Sequence, residues 1–446
     1  MPALDDTIVA LATPPGTGGV GVVRMSGGDV ERIARAMLGS VPEPRLATYA
    51  TFLDARGEPI DRGLALYFPG PGSFTGESVV ELHGHGGPVV MSLLVEAAID
   101  FGARRAEPGE FTKRAFLNDK LDLAQAEAIA DLIESGTAQA ARAALRSLSG
   151  VFSNAVNDLV QQLTAIRVYV EAAIDFPEEE IDFLGDDELA ERLSRCAATF
   201  ETLLSRAAVG RVMRDGYQVV IVGKPNAGKS SLMNRLSGEE TAIVTEFAGT
   251  TRDVLRERID IDGLAVELVD TAGLRDNPDR IEEEGIRRAR KAMAEADAVL
   301  WIQDATEAVP EHIEEPVPEG VPVTIVRNKI DLSDDRPGIV EGERPVVMLS
   351  ARTGEGLDAL RERIRDLAGF RDLGEGAFTA RRRHVEALHD AHGHFEAGRA
   401  ALRDARAGEL LAEELRLSQH ALGTITGEFT ADDLLGRIFS DFCIGK

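Results

Sequence analysis

Hydrophobic and polar positions change texture several times along the chain. Residues 1–120 alternate short β-branched runs with Gly/Pro-rich turns. Runs 8–10, 19–23 and 79–82 read as strands, while 29–37 and 89–101 carry apolar residues at helical spacing. From 121 to 176 the chain is rich in Ala, Leu and Gln and lacks proline, which predicts helix in two segments. Residues 175–191 hold many acids and no base and read as a solvated face or connection. Helix resumes from 187 to about 208. At Tyr217 strand-loop-helix alternation begins and lasts to about Phe370. Its runs 217–222, 266–269, 298–302, 323–326 and 346–349 are mainly apolar rather than strictly alternating, which predicts a parallel sheet covered on both faces. Residues 381–445 read as helix again. The expected fold is multidomain, α/β plus α: an α/β domain at 1–120, a discontinuous helical domain at 121–210 and 376–446, and a second α/β domain at 211–375 inserted in it.

Composition narrows the function classes. A chain of 446 residues suggests about three domains. A formal net charge of −27 excludes nucleic-acid binding by charge spread over the whole surface, so any RNA contact is local or shared with a basic partner. Cys196 and Cys443 cannot make a disulfide framework. No apolar run approaches the roughly 18 residues of a membrane span, and Asp5 and Asp6 stand where a signal peptide carries bases. A cytoplasmic location is expected.

The chemistry begins at Gly223-Lys-Pro-Asn-Ala-Gly-Lys-Ser230, the pattern G-x-x-x-x-G-K-S between an apolar strand and the helix expected at 231–236. Successive backbone N–H groups there wrap a phosphate at a helix N-terminus. Lys229 reaches the β and γ oxygens and the Ser230 hydroxyl binds Mg²⁺. Asp270-Thr-Ala-Gly273 ends a later strand, with Asp270 placed to hold Mg²⁺ through water and the Gly273 N–H to meet the γ-phosphate. Asn328-Lys-Ile-Asp331 ends another. The Asp331 carboxylate accepts only, so it pairs with the N1–H and exocyclic amine of guanine, which adenine lacks. Ser350-Ala351-Arg352 offers backbone to the base edge. Thr251, in Gly249-Thr-Thr-Arg-Asp253, completes the Mg²⁺ shell of a switch loop. These elements together read as a GTPase, with nucleotide contacts from Asn226, Ala227, Gly228 and Ser231 in the loop. Further contacts come from Thr245, Glu246, Phe247, Ala248 and Thr250 in the switch, and from Thr271 and Ala272. Leu274 stands where Ras-like enzymes place a water-orienting Gln, so hydrolysis is either slow or served by another residue. The run 282–284 offers carboxylates, though such a run also starts helices; no arginine finger is evident.

Two further stretches carry a resemblance. Pro108-Gly-Glu-Phe-Thr-Lys-Arg-Ala-Phe-Leu-Asn-Asp-Lys120-Leu-Asp-Leu-Ala-Gln-Ala-Glu127 and Phe442-Cys-Ile-Gly-Lys446, taken with the nucleotide motifs, resemble the MnmE (TrmE) family of bacterial tRNA-modification GTPases over essentially the whole chain. The resemblance implies a folate-binding, dimerising N-terminal domain and a Ras-like domain inserted in the helical one. It implies a homodimer that joins the flavoprotein MnmG, an FAD protein, to build a carboxymethylaminomethyl group on C5 of the wobble uridine of certain tRNAs with a tetrahydrofolate one-carbon unit. It implies K⁺ held by Asn226, Thr245, Phe247 and Thr250, activated as two G domains meet, and Glu282 as the water-orienting residue. It maps the folate contacts to Arg24, Glu81, Lys120 and Lys446. Cys443, three residues before Lys446, is a candidate for the modification chemistry, with a small buried hydrophobe as the alternative.

His83 and His85 have the spacing of a metal pair but lack a third ligand, and read better as a loop lining the folate pocket. The run Arg381-Arg-Arg-His384 serves either tRNA phosphates or a helix surface. Two other functions fit the sequence less well: a ribosome-assembly switch resembling Era, for which a compact basic RNA-binding domain is missing, and a stand-alone folate aminomethyltransferase, for which the N-terminal domain is too short.

Overall fold

The computed structural model describes residues 6–175, 187–239, 256–270, 292–307, 318, 320–370, 377–429, 432–440 and 442–445. Its contacts gather into two units, Met1–Ala130 with Gly423–Lys446, and Asp131–Leu422.

In the first unit, β1 (Ile8–Leu11), β2 (Gly18–Ser26), β3 (Thr48–Leu53), β4 (Pro59–Phe68), β5 (Val79–Gly86) and β6 (Arg104–Arg105) form one sheet in the order β3-β4-β5-β2-β1-β6. Alternation sorts the side chains. Val9, Met25 and Val80 face α1 (Val30–Leu38) and α2 (Pro88–Asp100), whose Ile33, Met37, Met91 and Leu94 complete a closed core. On the other face Ala10 and Ile8 meet Phe111 of α3 (Glu110–Leu117). The α3 Arg114 is 2% exposed, yet its charge is answered by Asp6 Oδ1 at 2.6 Å, Glu110 Oε1 at 3.0 Å and Glu77 Oε1 at 3.1 Å. The C-terminal helix Asp432–Ser440 lays Leu435, Ile438 and Phe439 on Leu123, Ala126 and Ala130, and Phe442 joins them beyond the helix end. Ile444 then bridges Pro108, and Gly445 (φ +99) passes so close to β1 that a Cβ there would lie 2.1 Å from the Leu11 carbonyl oxygen. The tail is docked.

The stretch 121–176 was expected as two helices and forms three: α4 (Leu123–Glu134), α5 (Ala138–Leu148) and α6 (Val151–Asp175). The breaks come from Thr137, whose hydroxyl accepts from the Ala140 N–H, and from Gly150 at φ +88. In the second unit α7 runs Asp187–Asp215, past the expected end near 208. Buried residues recur at alternating steps of four and three on α6 (Val156, Leu159, Leu163, Ile166, Val170) and α7 (Leu189, Leu193, Cys196, Phe200, Leu203), a seam that packs these helices on each other and on Arg382–Ala405. Burial pushes the Cys196 thiol up to about 12. It is an inert core residue.

The second sheet comprises β7 (Tyr217–Gly223), β8 (Arg256–Ile261), β9 (Leu264–Asp270), β10 (Ala298–Asp304), β11 (Val323–Asn328), β12 (Gly338–Val340) and β13 (Val346–Met348), ordered β12-β13-β11-β10-β7-β9-β8. Its five central strands are parallel, as the continuous apolar runs predicted. β8 and β12 add antiparallel edges. Strand order reverses at β7, so the loops at the carboxyl ends of β7, β10 and β11 open on one crevice.

Both crossings between this sheet and the helices are tied to one carboxylate. Asp131, its side chain 4% exposed, accepts from Arg214 Nε at 3.0 Å and Arg381 Nη2 at 2.7 Å. Residues 377–379 are strapped beside them: Arg146 donates to the Ala377 carbonyl, Ser147 Oγ meets the Thr379 backbone, and Phe378 stacks on Phe152 at 4.7 Å. Asp131→Ala removes the buried carboxylate that the Arg214 and Arg381 guanidinium groups share. It should destabilise this unit by about 3 kcal/mol, read as a shift of the main transition in chemical denaturation; a shift below a third of that would assign the pairs no structural weight.

Candidate functional site

The phosphate loop follows β7 and leads into α8 (Lys229–Glu239). Two backbone positions shape it. Asn226 is left-handed (φ +64), an uncommon conformation for a residue with a Cβ, and Gly228 (φ +96) has no room for one, since a Cβ would lie 2.1 Å from Asn328 Nδ2. Lys229 Nζ donates to the carbonyls of Gly223 and Lys224, both at 2.9 Å, which fixes the ammonium inside the loop. Ala227 is buried. Ser230 and Ser231 are exposed in the first turn of α8.

Asn328, at the end of β11 and 2% exposed, ties three motifs together. Its Nδ2 donates to the Ala227 carbonyl at 3.0 Å, and its Oδ1 accepts from the Lys329 N–H at 2.8 Å and the Ala351 N–H at 2.9 Å. Lys329, left-handed at φ +70, extends its ammonium to the Asn226 carbonyl at 2.7 Å and to Asp304 Oδ2 at 2.6 Å. Burial raises the Asp304 carboxyl, but Lys329 and the Thr306 donors outweigh it and hold the group at about 2. Asp331 takes the Ser350 hydroxyl on Oδ1 and the Arg352 guanidinium on Oδ2, which keep its carboxyl below the usual range. The loop, the Asn328–Asp331 motif and Ser350-Ala351-Arg352 are thus one hydrogen-bonded unit.

Thr245, Glu246, Phe247, Ala248, Gly249, Thr250, Thr251, Thr271, Ala272, Gly273, Glu282 and Lys446 lie outside the described residues, as does the side chain of Asp270, whose backbone ends β9.

In the first unit Arg24 and Glu81 stand opposite each other on β2 and β5, with Arg24 Nε donating to Glu81 Oε1 at 2.8 Å. His83 Nε2 lies 3.1 Å from Glu81 Oε2. His83 and His85 belong to β5 and not to a loop, which corrects the expectation: period-two alternation puts Glu81, His83 and His85 on one face, where each histidine finds a carboxylate, His85 taking Asp61 at 2.8 Å. No cluster of three metal ligands occurs among the described residues. Lys120 Nζ donates to the Pro71 carbonyl at 2.9 Å. Cys443 is exposed, which removes the buried-hydrophobe alternative, and its carbonyl accepts from the Gly109 N–H. Beside the tail opens a mainly apolar cavity of about 590 Å³ lined by Leu11, Thr13, Gly18, Met91, Arg105 and Ile444. Arg381 and His384 of the basic run are structural, the first on Asp131 and the second 2% exposed with Nδ1 accepting from the Arg381 N–H. Asp304 and the Arg352 side chain escaped the sequence reading: no motif includes Asp304, and Arg352 was read for its backbone alone.

Against this geometry, a family model described as the MnmE helical domain matches residues 123–443, and one described as the GTP-binding protein TrmE N-terminus matches residues 7–120. The chain belongs to the MnmE (TrmE) family. It is a tRNA-modification GTPase, a GTP hydrolase with the mixed sheet-and-helix build of that family. Similar solved structures include the G domain of the T. maritima FeoB iron transporter, 24% identical over 34% of this chain and 98% of that one, with a TM-score of 0.25. Another is a GTP-binding protein from Sulfolobus solfataricus in complex with GDP, 20% identical over 47% and 67%, also with a TM-score of 0.25. Among the described residues no helix is long and apolar enough to cross a membrane.

Proposed function

We propose that this MnmE-family GTPase acts in the cytoplasm as a homodimer with an MnmG-like FAD protein. Together they place a carboxymethylaminomethyl group on C5 of the wobble uridine of certain tRNAs, with a one-carbon unit from a tetrahydrofolate. In this reading residues 1–120 bind folate and dimerise, 121–210 with 376–446 form the helical domain, and 211–375 form the G domain.

The observation that carries the nucleotide half is the Asn328 knot, which sets the phosphate loop and the guanine reader in one frame. Backbone N–H groups of 226–231 receive the phosphates, Lys229 turns from its loop carbonyls to the β and γ oxygens, and Asp331 takes the guanine N–H pair. Ser230 and Thr251 would hold Mg²⁺, with Asp270 behind a water; the exposed hydroxyl in the first turn of α8 suits it. Asn226, Thr245, Phe247 and Thr250 would hold K⁺, and the fit rests on Asn226, whose carbonyl is engaged by Lys329 while its exposed side chain leaves the loop. K⁺ supplies there the positive charge that an arginine finger supplies elsewhere. Glu282 orients the attacking water in place of the residue missing at Leu274.

For folate, Arg24, Glu81, Lys120 and Lys446 are the contacts. The Arg24–Glu81 pair offers a donor and an acceptor at one spot, suited to an N–H-rich ring, and lysine ammonium groups suit a glutamate tail. The docked tail supports a role for exposed Cys443 in the modification. Cys443→Ser should fold normally, keep its GTPase activity and fail to restore modified wobble uridine in a strain lacking the native protein, by mass spectrometry of tRNA nucleosides. Full modification would return this cysteine to a structural role.

A further inference from the structure

Asp331, the residue read above as the guanine reader, is covered. Its side chain is only 8% exposed, and the group over it is Arg352, which is 74% exposed. Arg352 Nε donates to Asp331 Oδ2 at 3.0 Å, and Nη2 of the same guanidinium donates to the same oxygen. Ser350 Oγ donates to Oδ1. A nucleobase arriving from solvent meets the guanidinium first. We infer that Arg352 is a displaceable cover on the base site, occupying the carboxylate with a planar pair of N–H donors until guanine replaces it with another.

The chemistry of the exchange is matched on both sides. A guanidinium presents two N–H groups in a plane, and guanine presents N1–H and its exocyclic amine in a plane. The Oδ2 atom that takes the arginine fork is one of the two oxygens that guanine needs, so the two occupants compete there. Ser350 stays on Oδ1 in either case, because a carboxylate oxygen has lone pairs for two donors. Displacing the arginine is inexpensive. Its outer face is hydrated already, and an exposed ion pair contributes little. The cover gives Oδ2 of a nearly buried carboxylate its donors between nucleotides, while Ser350 serves Oδ1.

This inference rests on Asp331 as the guanine reader, and the experiment separates the two. Stopped-flow binding of a fluorescent GDP to the full-length chain gives association and dissociation rates. Arg352→Ala should speed association about two- to five-fold, the size of an exposed ion pair, with dissociation changed less than twofold. Arg352→Lys keeps the charge without the fork and should fall between. The gap between Arg352→Ala and the native chain should narrow as salt rises, since screening weakens the pair. Slower association, or faster dissociation, would make Arg352 a clamp on bound base and overturn the cover, as would rates that do not move. In a separate arm, Asp331→Asn is tested with GDP and xanthosine diphosphate. Retained GDP affinity there would sink the reader itself, whereas a switch to xanthine beside an unmoved Arg352→Ala would sink the cover alone.

Discussion

Asp331→Asn should lower GTP affinity by three orders of magnitude or more and create binding of xanthosine triphosphate in its place. Guanine gives Asp331 two donors, N1–H and the exocyclic amine. A carboxamide accepts one and opposes the other with its own N–H, and a site built on paired hydrogen bonds rejects such a mismatch by about 10⁴. Xanthine replaces the amine by a carbonyl oxygen, which restores the pairing. The substitution also removes the anchor of Arg352 but leaves the frame behind it standing, because the Asn328 bonds to Ala227 and Ala351 do not pass through residue 331. Loss of GTP binding without a gain of xanthine binding would mean that the variant damaged the loop and that the carboxylate does not read the base. Equilibrium titration with both nucleotides decides between them.

Hydrolysis should run about 10²- to 10³-fold faster in KCl than in NaCl at equal ionic strength, and Asn226→Ala should abolish most of that difference. The expectation comes from what the chain lacks. Leu274 cannot orient water, and no arginine finger is evident, so charge developing on the γ-phosphate needs another cation. Groups of that kind contribute about 10² to 10³ each when removed singly. Asn226 is left-handed and exposed, and Lys329, itself held by Asp304, fixes its carbonyl. A K⁺-sensitive rate that survives in Asn226→Ala would move the ion site elsewhere, and equal rates in both salts would remove it.

The parallel core of the second sheet was legible because burial on both faces leaves a continuous apolar run, as at 219–222 and 298–302. Its edges were not. β8, reading Arg-Glu-Arg-Ile-Asp-Ile, has one wetted face and one covered one, and its charges masked its strand character. The hairpin of β3 and β4 was missed for a similar reason: Tyr49 and Leu64 face each other across the pair and are both exposed, so no burial pattern marks them. The count of helices between 121 and 176 failed on Thr137 and Gly150, whose capping chemistry is local and small beside an Ala-rich background. At the nucleotide site the loop and the base motif were plain in order and spacing. What spacing could not carry was the side-chain traffic between them, such as Lys329 to Asp304 or Arg352 to Asp331, because those contacts join the ends of neighbouring strands, 25 and 21 residues apart, which no one motif spans.

Arg214 and Arg381 close on the same carboxylate, so residues on either side of the inserted sheet meet at a single point. The triad is one fastening among several at this crossing: Arg211 holds Asp297 at 2.7 Å, and Val212 and Met213 of α7 enter the core of the sheet itself, so the end of α7 and the sheet are one packed piece. The chain enters the sheet beside Arg214 and re-enters the helices beside Arg381, so Asp131 fastens the two ends of the insertion to each other as well as to α4.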